Sequence, residues 1–252
     1  MNIDLTGKTV LVTGASRGIG KAIAQAMGEA GARVAVHYNN TAAPAEALAA
    51  ALGNGAFAIR ANLADPEACD ALFARVVAEM GRLDVLVNNA GVSVQIPMAA
   101  DSATWFAGWQ HTMLVNLMAA ELLSRHAITH FQVNGGGRIV NIASRAAFRG
   151  DQPDYMTYAA SKAGMVALTK SVARGFGKDE IKAFVVAPGF TRTDMAADFI
   201  ETYGEDYVRD DIALNRLTEP ADIAPLVVLL ASGMADHATG TSIDVNAGSY
   251  AH

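Results

Sequence analysis

A glycine-rich loop near the start of the chain limits the fold more than any other feature. Residues 13–20 read TGASRGIG and follow a short apolar, β-branched run at residues 8–13. After the loop, apolar residues recur at helical spacing as far as Ala30, and Gly31 then stops the helix. A buried strand, a tight turn and a helix in this order predict the first unit of a parallel α/β sheet.

The glycines also indicate what this loop binds. Gly14 permits a sharp turn, while Gly18 and Gly20 let the backbone approach a phosphate and let the helix pack against the strand. The helix N-terminus offers unpaired N–H groups and the positive end of the helix dipole to an anion. The spacing is G-x-x-x-G-x-G, and a glycine turn without a ligand is the alternative. The position between a strand and a helix favours dinucleotide binding.

The rest of the chain continues the alternation of strands and helices. Because the strands are apolar on both faces, we expect one domain: a doubly wound, mostly parallel seven-stranded sheet with helices on both faces. The 252 residues, 52% of them hydrophobic, suffice for one such domain. Residues at about 190–215 interrupt the alternation and predict a small insertion at the sheet edge where ligands bind. The predicted strands are 8–13, 33–38, 56–61, 84–88, 138–143, 181–187 and 242–245, and the main helices are 19–30, 44–52, 65–80, a long region ending near 131, 155–176 and 220–231.

Composition argues against several classes of function. The net charge is −6 and the basic residues are scattered, so no basic surface for nucleic acid is expected. The single cysteine, Cys69, excludes an internal disulfide, fits a reducing compartment and is expected to fill a small space in the core. No apolar run approaches the roughly 18 residues of a membrane span, and the chain start has no signal-peptide regions. We therefore expect a cytoplasmic protein with no membrane partner.

A tyrosine and a lysine on the 155–176 helix are the first candidates for chemistry. Tyr158 and Lys162 are four positions apart, so they lie on one face of that helix. An ammonium near a phenol favours the phenolate and lowers the tyrosine pKa from about 10, which gives an acid/base that works nearer neutral pH. Taken alone, such a pair is more often a packing tyrosine with a solvated lysine.

The residues after the second strand bear on cofactor choice. NAD sites place Asp or Glu there for the ribose hydroxyls, and such a carboxylate repels a 2′-phosphate. This chain has Tyr38, Asn39 and Asn40 instead, while Arg17 in the glycine loop supplies a nearby cation. These residues favour NADP(H). In the alternative, Arg17 points to solvent and NAD(H) binds through neutral contacts.

With these motifs in one chain, the sequence resembles the short-chain dehydrogenase/reductase family over nearly its whole length. The resemblance is closest to 3-oxoacyl-carrier-protein reductases and related ketoreductases. It implies a Rossmann fold and a homotetramer, in which residues 244–248 would pack at subunit contacts. The motifs that carry it, in family order, are the glycine loop at 13–20, Asn88-Asn89-Ala90-Gly91, Asn116, Ser144, Tyr158-x-x-x-Lys162 and Pro188-Gly189.

The resemblance implies four catalytic residues. Tyr158 would donate a proton to the carbonyl oxygen in reduction, or remove it from the alcohol in the reverse direction. Lys162 would lower the tyrosine pKa and bind the nicotinamide ribose. Ser144 would position the substrate oxygen, and Asn116 would help hold a water that links Lys162 to solvent. No metal is expected.

The resemblance also implies a set of cofactor contacts. They cover the pyrophosphate, the adenosine and the nicotinamide. Thr193 lies two positions after Thr191, and for it a role as a structural turn residue is as plausible as a cofactor contact. The implied cofactor-binding residues are Gly14, Ser16, Arg17, Gly18, Ile19, Gly20, Tyr38, Asn39, Asn62, Leu63, Asn89, Ala90, Gly91, Tyr158, Lys162, Pro188, Gly189 and Thr191.

The substrate side departs from the family pattern. Ser144 and Tyr158 are 14 positions apart, one more than is usual, so the wall formed by residues 145–157 is altered. Four apolar residues could line the pocket or the core equally well, and they suggest a substrate with an aliphatic or cyclic body: Val94, Met98, Met195 and Phe199. Three arginines could meet a carrier protein's phosphopantetheine or a free carboxylate: Arg145, Arg149 and Arg192. Four histidines fall in no motif and are expected to be surface or helix residues: His37, His111, His126 and His130.

The expected activity is the interconversion of a ketone and a secondary alcohol by hydride transfer to or from a nicotinamide cofactor. One alternative is a non-catalytic dinucleotide-binding regulator or scaffold, although such relatives usually lose the tyrosine, lysine or serine. Another is a sugar epimerase or dehydratase, which shares Tyr-x-x-x-Lys but is longer and has a different glycine spacing.

Overall fold

A single parallel sheet forms the centre of the molecule. The structure is a computed structural model that describes residues 3–195, 209 and 211–251. Within these residues all six strand pairings are parallel, in the order β3-β2-β1-β4-β5-β6-β7. The order reverses between β1 and β4, which is where ligands bind in doubly wound sheets. The strands are β1 (Thr9–Val12), β2 (Arg33–Tyr38), β3 (Phe57–Arg60), β4 (Val85–Asn88), β5 (Gly137–Ile142), β6 (Ile181–Pro188) and β7 (Ser242–Val245).

Helices cover both faces of the sheet. Because side chains of a strand alternate between its faces, Val10 lies in one core cluster with Ile23, while Leu11 lies in the other with Phe73. Burying such a side chain contributes roughly 1.5–3 kcal/mol, so the two clusters hold the sheet from both sides. The helices are α1 (Gly18–Glu29), α2 (Ala42–Leu52), α3 (Pro66–Met80), α4 (Ser102–Met113), α5 (Ala119–Val133), α6 (Ala146–Arg149), α7 (Met156–Phe176) and α8 (Pro220–Ser232).

Local sequence signals set the ends of α3. The Asp65 carboxylate accepts a hydrogen bond from the Glu67 N–H at 3.0 Å, and Pro66 occupies the first turn. At the other end Gly81 adopts a left-handed conformation with φ of 75°. Cys69 is fully buried on this helix, and burial raises the pKa of its thiol to about 11. The predicted start and end of α3 and the core position of Cys69 are confirmed.

Other elements differ from the expectation. The long helical region before residue 131 begins only at Ser102, and a π-helical turn at Leu114–Met118 joins α4 to α5. Short helical turns at Ala146–Arg149 and Pro153–Tyr155 precede α7 and were not expected. Most of the predicted insertion at about 190–215, and Phe199 with it, lies outside the described residues. No described helix combines the length and the apolar character needed to cross a membrane.

Candidate active site

The glycine loop packs tightly against the end of β4. Gly14 has φ of 63°, and a Cβ atom on it would lie 2.9 Å from the Cα of Ala90. A Cβ on Gly20 would overlap the carbonyl oxygen of Gly14 and the amide of Asn89. Both positions therefore require glycine because another segment of backbone approaches too closely for a side chain. The first turn of α1 follows directly and presents its free N–H groups to the cleft.

The segment after β4 holds the loop through Thr13. The Thr13 hydroxyl oxygen accepts hydrogen bonds from the N–H groups of Asn89 at 2.9 Å and Ala90 at 3.0 Å. In return the Asn89 side-chain amide donates to the carbonyl oxygen of Thr13 at 2.8 Å. These bonds link the end of β1 to the end of β4 across the reversal point of the sheet. The loop that would face a pyrophosphate is thereby fixed in position.

His37 braces the same loop from the other side, and the expectation that it is a surface or helix residue is wrong. It lies on β2 between β1 and β3, and only 2% of it is exposed. Its Nδ1 accepts a hydrogen bond from the Gly14 N–H at 3.0 Å, so the ring proton is on Nε2, which donates to the Ala61 carbonyl oxygen at 3.1 Å. Burial lowers the pKa of His37 to about 4. The neutral ring thus connects the glycine loop to the residue before Asn62.

One cleft of about 1600 Å³ runs along the C-terminal edge of the sheet. It begins beside Asn39 and Thr41 after β2, and it ends beside Arg149 and Asp151. Every residue that the sequence predicted to contact the cofactor lines this cleft, and so does Ser144. Parallel strands bring all their carboxyl ends to one edge, which explains why residues so distant in the chain meet there. Their functional roles remain predictions.

Ser144, Tyr158 and Lys162 lie together in the middle of the cleft. Ser144 follows β5, and it lies near enough to Tyr158 to lower the pKa of the phenol. Lys162 is 3% exposed, its ammonium donates to the Ile142 carbonyl oxygen at 2.8 Å, and its nitrogen is 5.8 Å from the centre of the Tyr158 ring. The family arrangement of a tyrosine between a serine and a buried lysine is therefore present.

The pKa of Tyr158 moves in the direction opposite to the one expected from the sequence. Burial raises it above 10, the hydrogen bond with Ser144 lowers it, and the charge of Asp151 raises it further. Removing the phenolate from water thus outweighs any attraction to Lys162, whose own pKa burial lowers to about 8. Tyr158 is therefore protonated at neutral pH in this structure, as a proton donor must be.

Asn116 lies on the π-helical turn directly behind the cleft. It is fully buried, accepts a hydrogen bond from the Val92 N–H at 2.8 Å and donates to the Ser161 hydroxyl at 3.0 Å. A Cβ on Gly91 would lie 3.3 Å from the Lys162 nitrogen and 3.4 Å from the Asn116 side-chain oxygen. Asn116 therefore sits next to the Lys162 ammonium, although it does not line the cleft itself.

The arginines near the substrate end have acidic partners. Arg145 and Arg149 both donate to Asp211, at 2.6 and 3.0 Å. Arg192 pairs instead with Glu219 at 2.9 Å and does not line the cleft. Asp151 lines the same end of the cleft, so among the described residues there the charges of two arginines are balanced by those of two carboxylates.

Of the apolar pocket candidates, the described structure places only Met195 on the cleft. Val94 and Met98 lie outside its lining, and Met98 is exposed. His111 on α4 does line it, which no motif had indicated. Apolar residues that the sequence did not single out line the cleft as well, among them Val92, Val115 and Phe190.

Comparison with known proteins identifies the family. A family model described as Enoyl-(Acyl carrier protein) reductase matches residues 14–250. The 3-oxoacyl-[acyl-carrier-protein] reductase FabG of Staphylococcus aureus is 37% identical over 249 residues, which are 96% of this chain and 98% of the relative. The chain belongs to the short-chain dehydrogenase/reductase family. It is thus an NAD(P)(H)-dependent oxidoreductase acting between ketones and secondary alcohols, and nothing in the comparisons favours the non-catalytic alternative.

Relatives within this short-chain dehydrogenase/reductase family differ in substrate. The L-rhamnose 1-dehydrogenase (NAD(P)(+)) of a Sphingomonas species is 36% identical over 255 residues, covering 98% of this chain and 97% of the relative. A short-chain dehydrogenase from Burkholderia cenocepacia, solved in complex with NADP, has a TM-score of 0.89 and 34% identity, with 98% of this chain and 99% of that chain covered. At similar identity, the relatives therefore include both a carrier-protein reductase and a sugar dehydrogenase.

Proposed function

We propose that Tyr158 is the acid/base of this oxidoreductase and that Ser144, Lys162 and Asn116 assist it. The observation that supports this most directly is that Ser144, Tyr158 and the buried Lys162 line one cleft together with the glycine loop. A bound nicotinamide would supply or accept the hydride. The chain's own residues then position the carbonyl and transfer one proton.

Each residue has a distinct role in this proposal. Tyr158, with its raised pKa, holds the proton that passes to the carbonyl oxygen during reduction. Ser144 fixes that oxygen beside the phenol. Lys162, with a pKa of about 8, is mostly charged at neutral pH and stabilises the phenolate that forms after proton transfer. Asn116 holds the π-helical turn next to Lys162. Its side-chain amide is a polar neighbour of the ammonium, and a water held between them relays protons.

The chemistry is tested by following loss of NADPH absorbance with a panel of ketones. Tyr158→Phe is expected to lower kcat at least 100-fold while NADPH binding, measured by fluorescence titration, stays within about threefold. Tyr250→Phe, which removes a phenolic hydroxyl outside the cleft lining, serves as the matched control. Near wild-type turnover of Tyr158→Phe would falsify the assignment.

We further propose that NADP(H) is preferred over NAD(H). No carboxylate follows β2, and the Burkholderia relative was solved with NADP. Arg17 pairs with Asp194 at 3.3 Å, but both side chains are more than 70% exposed, and such a pair is worth about 0–1 kcal/mol. A 2′-phosphate, with its greater charge, would displace Asp194 from Arg17.

The ratio of kcat/KM for NADPH to that for NADH tests this preference. Arg17→Ala is expected to lower the ratio about 10-fold or more, because it removes a charge-assisted bond that only the phosphate makes. Asp194→Asn removes the competing carboxylate and is expected to keep or raise the ratio. A wild-type ratio below one contradicts the preference.

We also propose that the enzyme is a cytoplasmic homotetramer and that residues at about 190–215 form a substrate loop on its single domain. Phe106 on α4 and Met118 at the end of the π-helical turn are large apolar side chains exposed by 65% and 46%, which subunit contacts would cover. The tail at residues 244–248 resembles the family's contact segment. Light scattering is expected to give four times the chain mass of 26.3 kDa. Cell fractionation tests the compartment.

A further inference from the structure

The cleft beyond Ser144 and Tyr158 carries a group of polar side chains beside aromatic and apolar ones such as Tyr155 and Met195. Ser93, Arg149, Asp151 and Gln152, here called the polar wall, all line it. Three of them come from the segment between Ser144 and Tyr158 that has one residue more than usual. The wall therefore lies beside the groups that would hold the reacting carbonyl.

Three members of the polar wall have unused hydrogen-bonding capacity. Asp151 accepts one bond, from the backbone N–H of Gln152 at 2.9 Å. The hydroxyl of Ser93 and the side-chain amide of Gln152 bond to no other residue in the part of the chain that the structure describes. Together they offer a carboxylate, an amide and a hydroxyl to whatever enters the cleft.

The charge of Asp151 reaches the reacting centre. Asp151 and Tyr158 both line the cleft, and the charge of Asp151 is one of the causes that raise the pKa of Tyr158. Arg149 and Arg145 attract the Asp151 carboxylate in turn, although their hydrogen bonds go to Asp211. A ligand bound at Tyr158 thus meets an acceptor at Asp151 and a cation at Arg149.

Hydroxyl groups suit this wall better than an aliphatic chain does. A hydroxyl both donates and accepts, so vicinal hydroxyls can satisfy a carboxylate, an amide and a guanidinium at once. An aliphatic body would take the same groups out of water without pairing them, which is unfavourable. Sites built to bond a substrate hydroxyl reject analogues that lack it for this reason.

We propose that the substrate is a small polyhydroxylated molecule of the sugar or sugar-acid type, held through its hydroxyls by Asp151, Gln152 and Ser93. This inference rests on the proposed function. In the oxidative direction, Tyr158 first gives its proton to solvent; the carbon beside it then loses its hydrogen as hydride to NADP⁺, and the substrate's hydroxyl proton passes to the Tyr158 phenolate. A C–H and an O–H bond break, a C=O bond forms, and NADP⁺ is reduced to NADPH. A carboxylate on the same substrate would lie against Arg149.

The test is NADP⁺ reduction with a matched panel of alcohols. It contains neutral aldoses and alditols, aldonates, aliphatic secondary alcohols and a 3-hydroxyacyl thioester. At least one polyhydroxylated compound is expected to show kcat/KM 100-fold or more above the aliphatic alcohols. If kcat/KM is higher for aldonates than for neutral sugars, Arg149 binds the carboxylate. If kcat/KM for neutral sugars is equal or higher, Arg149 binds a hydroxyl.

Variants locate the binding groups. Asp151→Asn is expected to lower kcat/KM for the polyhydroxylated substrate 10- to 100-fold, mainly by raising KM. For a simple secondary alcohol, kcat/KM is expected to change less than threefold. Each variant is measured at its own optimum pH. Glu46→Gln on α2, a carboxylate outside the cleft lining, is the control. Equal losses on both substrates would refute the assignment of Asp151 to substrate hydroxyls.

The failures of the two proposals can be told apart. Turnover of aliphatic alcohols or the thioester through Tyr158, with sugars and sugar acids inert, overturns the inference and leaves the proposed function in place. Absence of turnover with every class, in an enzyme that still binds NADPH, overturns both.

Discussion

Acid should destabilise this protein through His37, and the size of the effect follows from its burial. The ring is neutral in the folded state, with a pKa of about 4, whereas an unfolded histidine has a pKa of 6.5. Between these values the unfolded chain binds a proton that the folded chain does not. Stability is therefore fully present above pH 6.5 and is lost as the pH falls towards 4. At 1.36 kcal/mol per pKa unit, the loss between pH 7.5 and 4.5 is about 2–3 kcal/mol.

Two substitutions isolate this contribution. Gln at position 37 can donate to Ala61 as Nε2 does, and Asn can accept from Gly14 as Nδ1 does, while neither titrates. At pH 7.5 each variant keeps one of the two bonds and should lose about 1–3 kcal/mol. His37→Asn should keep NADPH affinity better than His37→Gln, because only the former holds the glycine loop.

The assay is urea unfolding at pH 7.5 and 4.5, at one protein concentration and with refolding checked. Lowering the pH should reduce the free energy of unfolding of wild type by about 2–3 kcal/mol more than that of either variant, since all other titrating groups are shared. If wild type and both variants lose the same free energy between the two pH values, the histidine is not the acid-sensitive group and the reasoning is wrong.

Three further predictions concern packing and stability. Gly20→Ala places a Cβ against the carbonyl of the loop's first glycine, so it should lower the free energy of unfolding by about 1–3 kcal/mol and weaken NADPH binding. Gly175→Ala on α7 has open space and should raise the free energy of unfolding by up to about 1 kcal/mol. Urea unfolding measures both changes. Cys69, buried with a thiol pKa of about 11, should not react with a disulfide reagent at pH 8 until the protein unfolds, which absorbance reports. Asp236→Asn weakens the paired bonds from Arg138 at 2.8 and 2.7 Å and should lower the free energy of unfolding by about 1–3 kcal/mol.

The sequence predicted features that depend on neighbours along the chain. The N-cap at Asp65, the stop at Gly81 and the glycine loop each follow from residues a few positions apart. The assembly of the cleft was also predictable, because a parallel sheet gathers strand ends at one edge whatever their distance in sequence. Family motifs then identified which side chains at that edge to examine.

Features that depend on burial or on distant partners were not predictable in this way. The bracing role of His37 needs Gly14 and Ala61, which come from the ends of β1 and β3. The raised pKa of Tyr158 depends on how far the surrounding side chains shield the phenol from solvent, whereas spacing alone shows only that Lys162 is near. The polarity of the substrate end depends on which side chains of residues 145–157 face the cleft, and no periodicity reveals that in a segment of short turns.

The π-helical turn at Leu114–Met118 limits which insertions and deletions the gene can tolerate. A π turn holds one residue more than an α turn, and successive α-helical residues are rotated by about 100°. Deleting one residue there would let the helix become regular, so Asn116 would take a different angular position and lose its place beside Lys162. Substitutions along this turn can therefore accumulate singly, but insertions and deletions cannot. The segment between Ser144 and Tyr158 is the opposite case, because Ser144, Tyr158 and Lys162 line one cleft despite its extra residue.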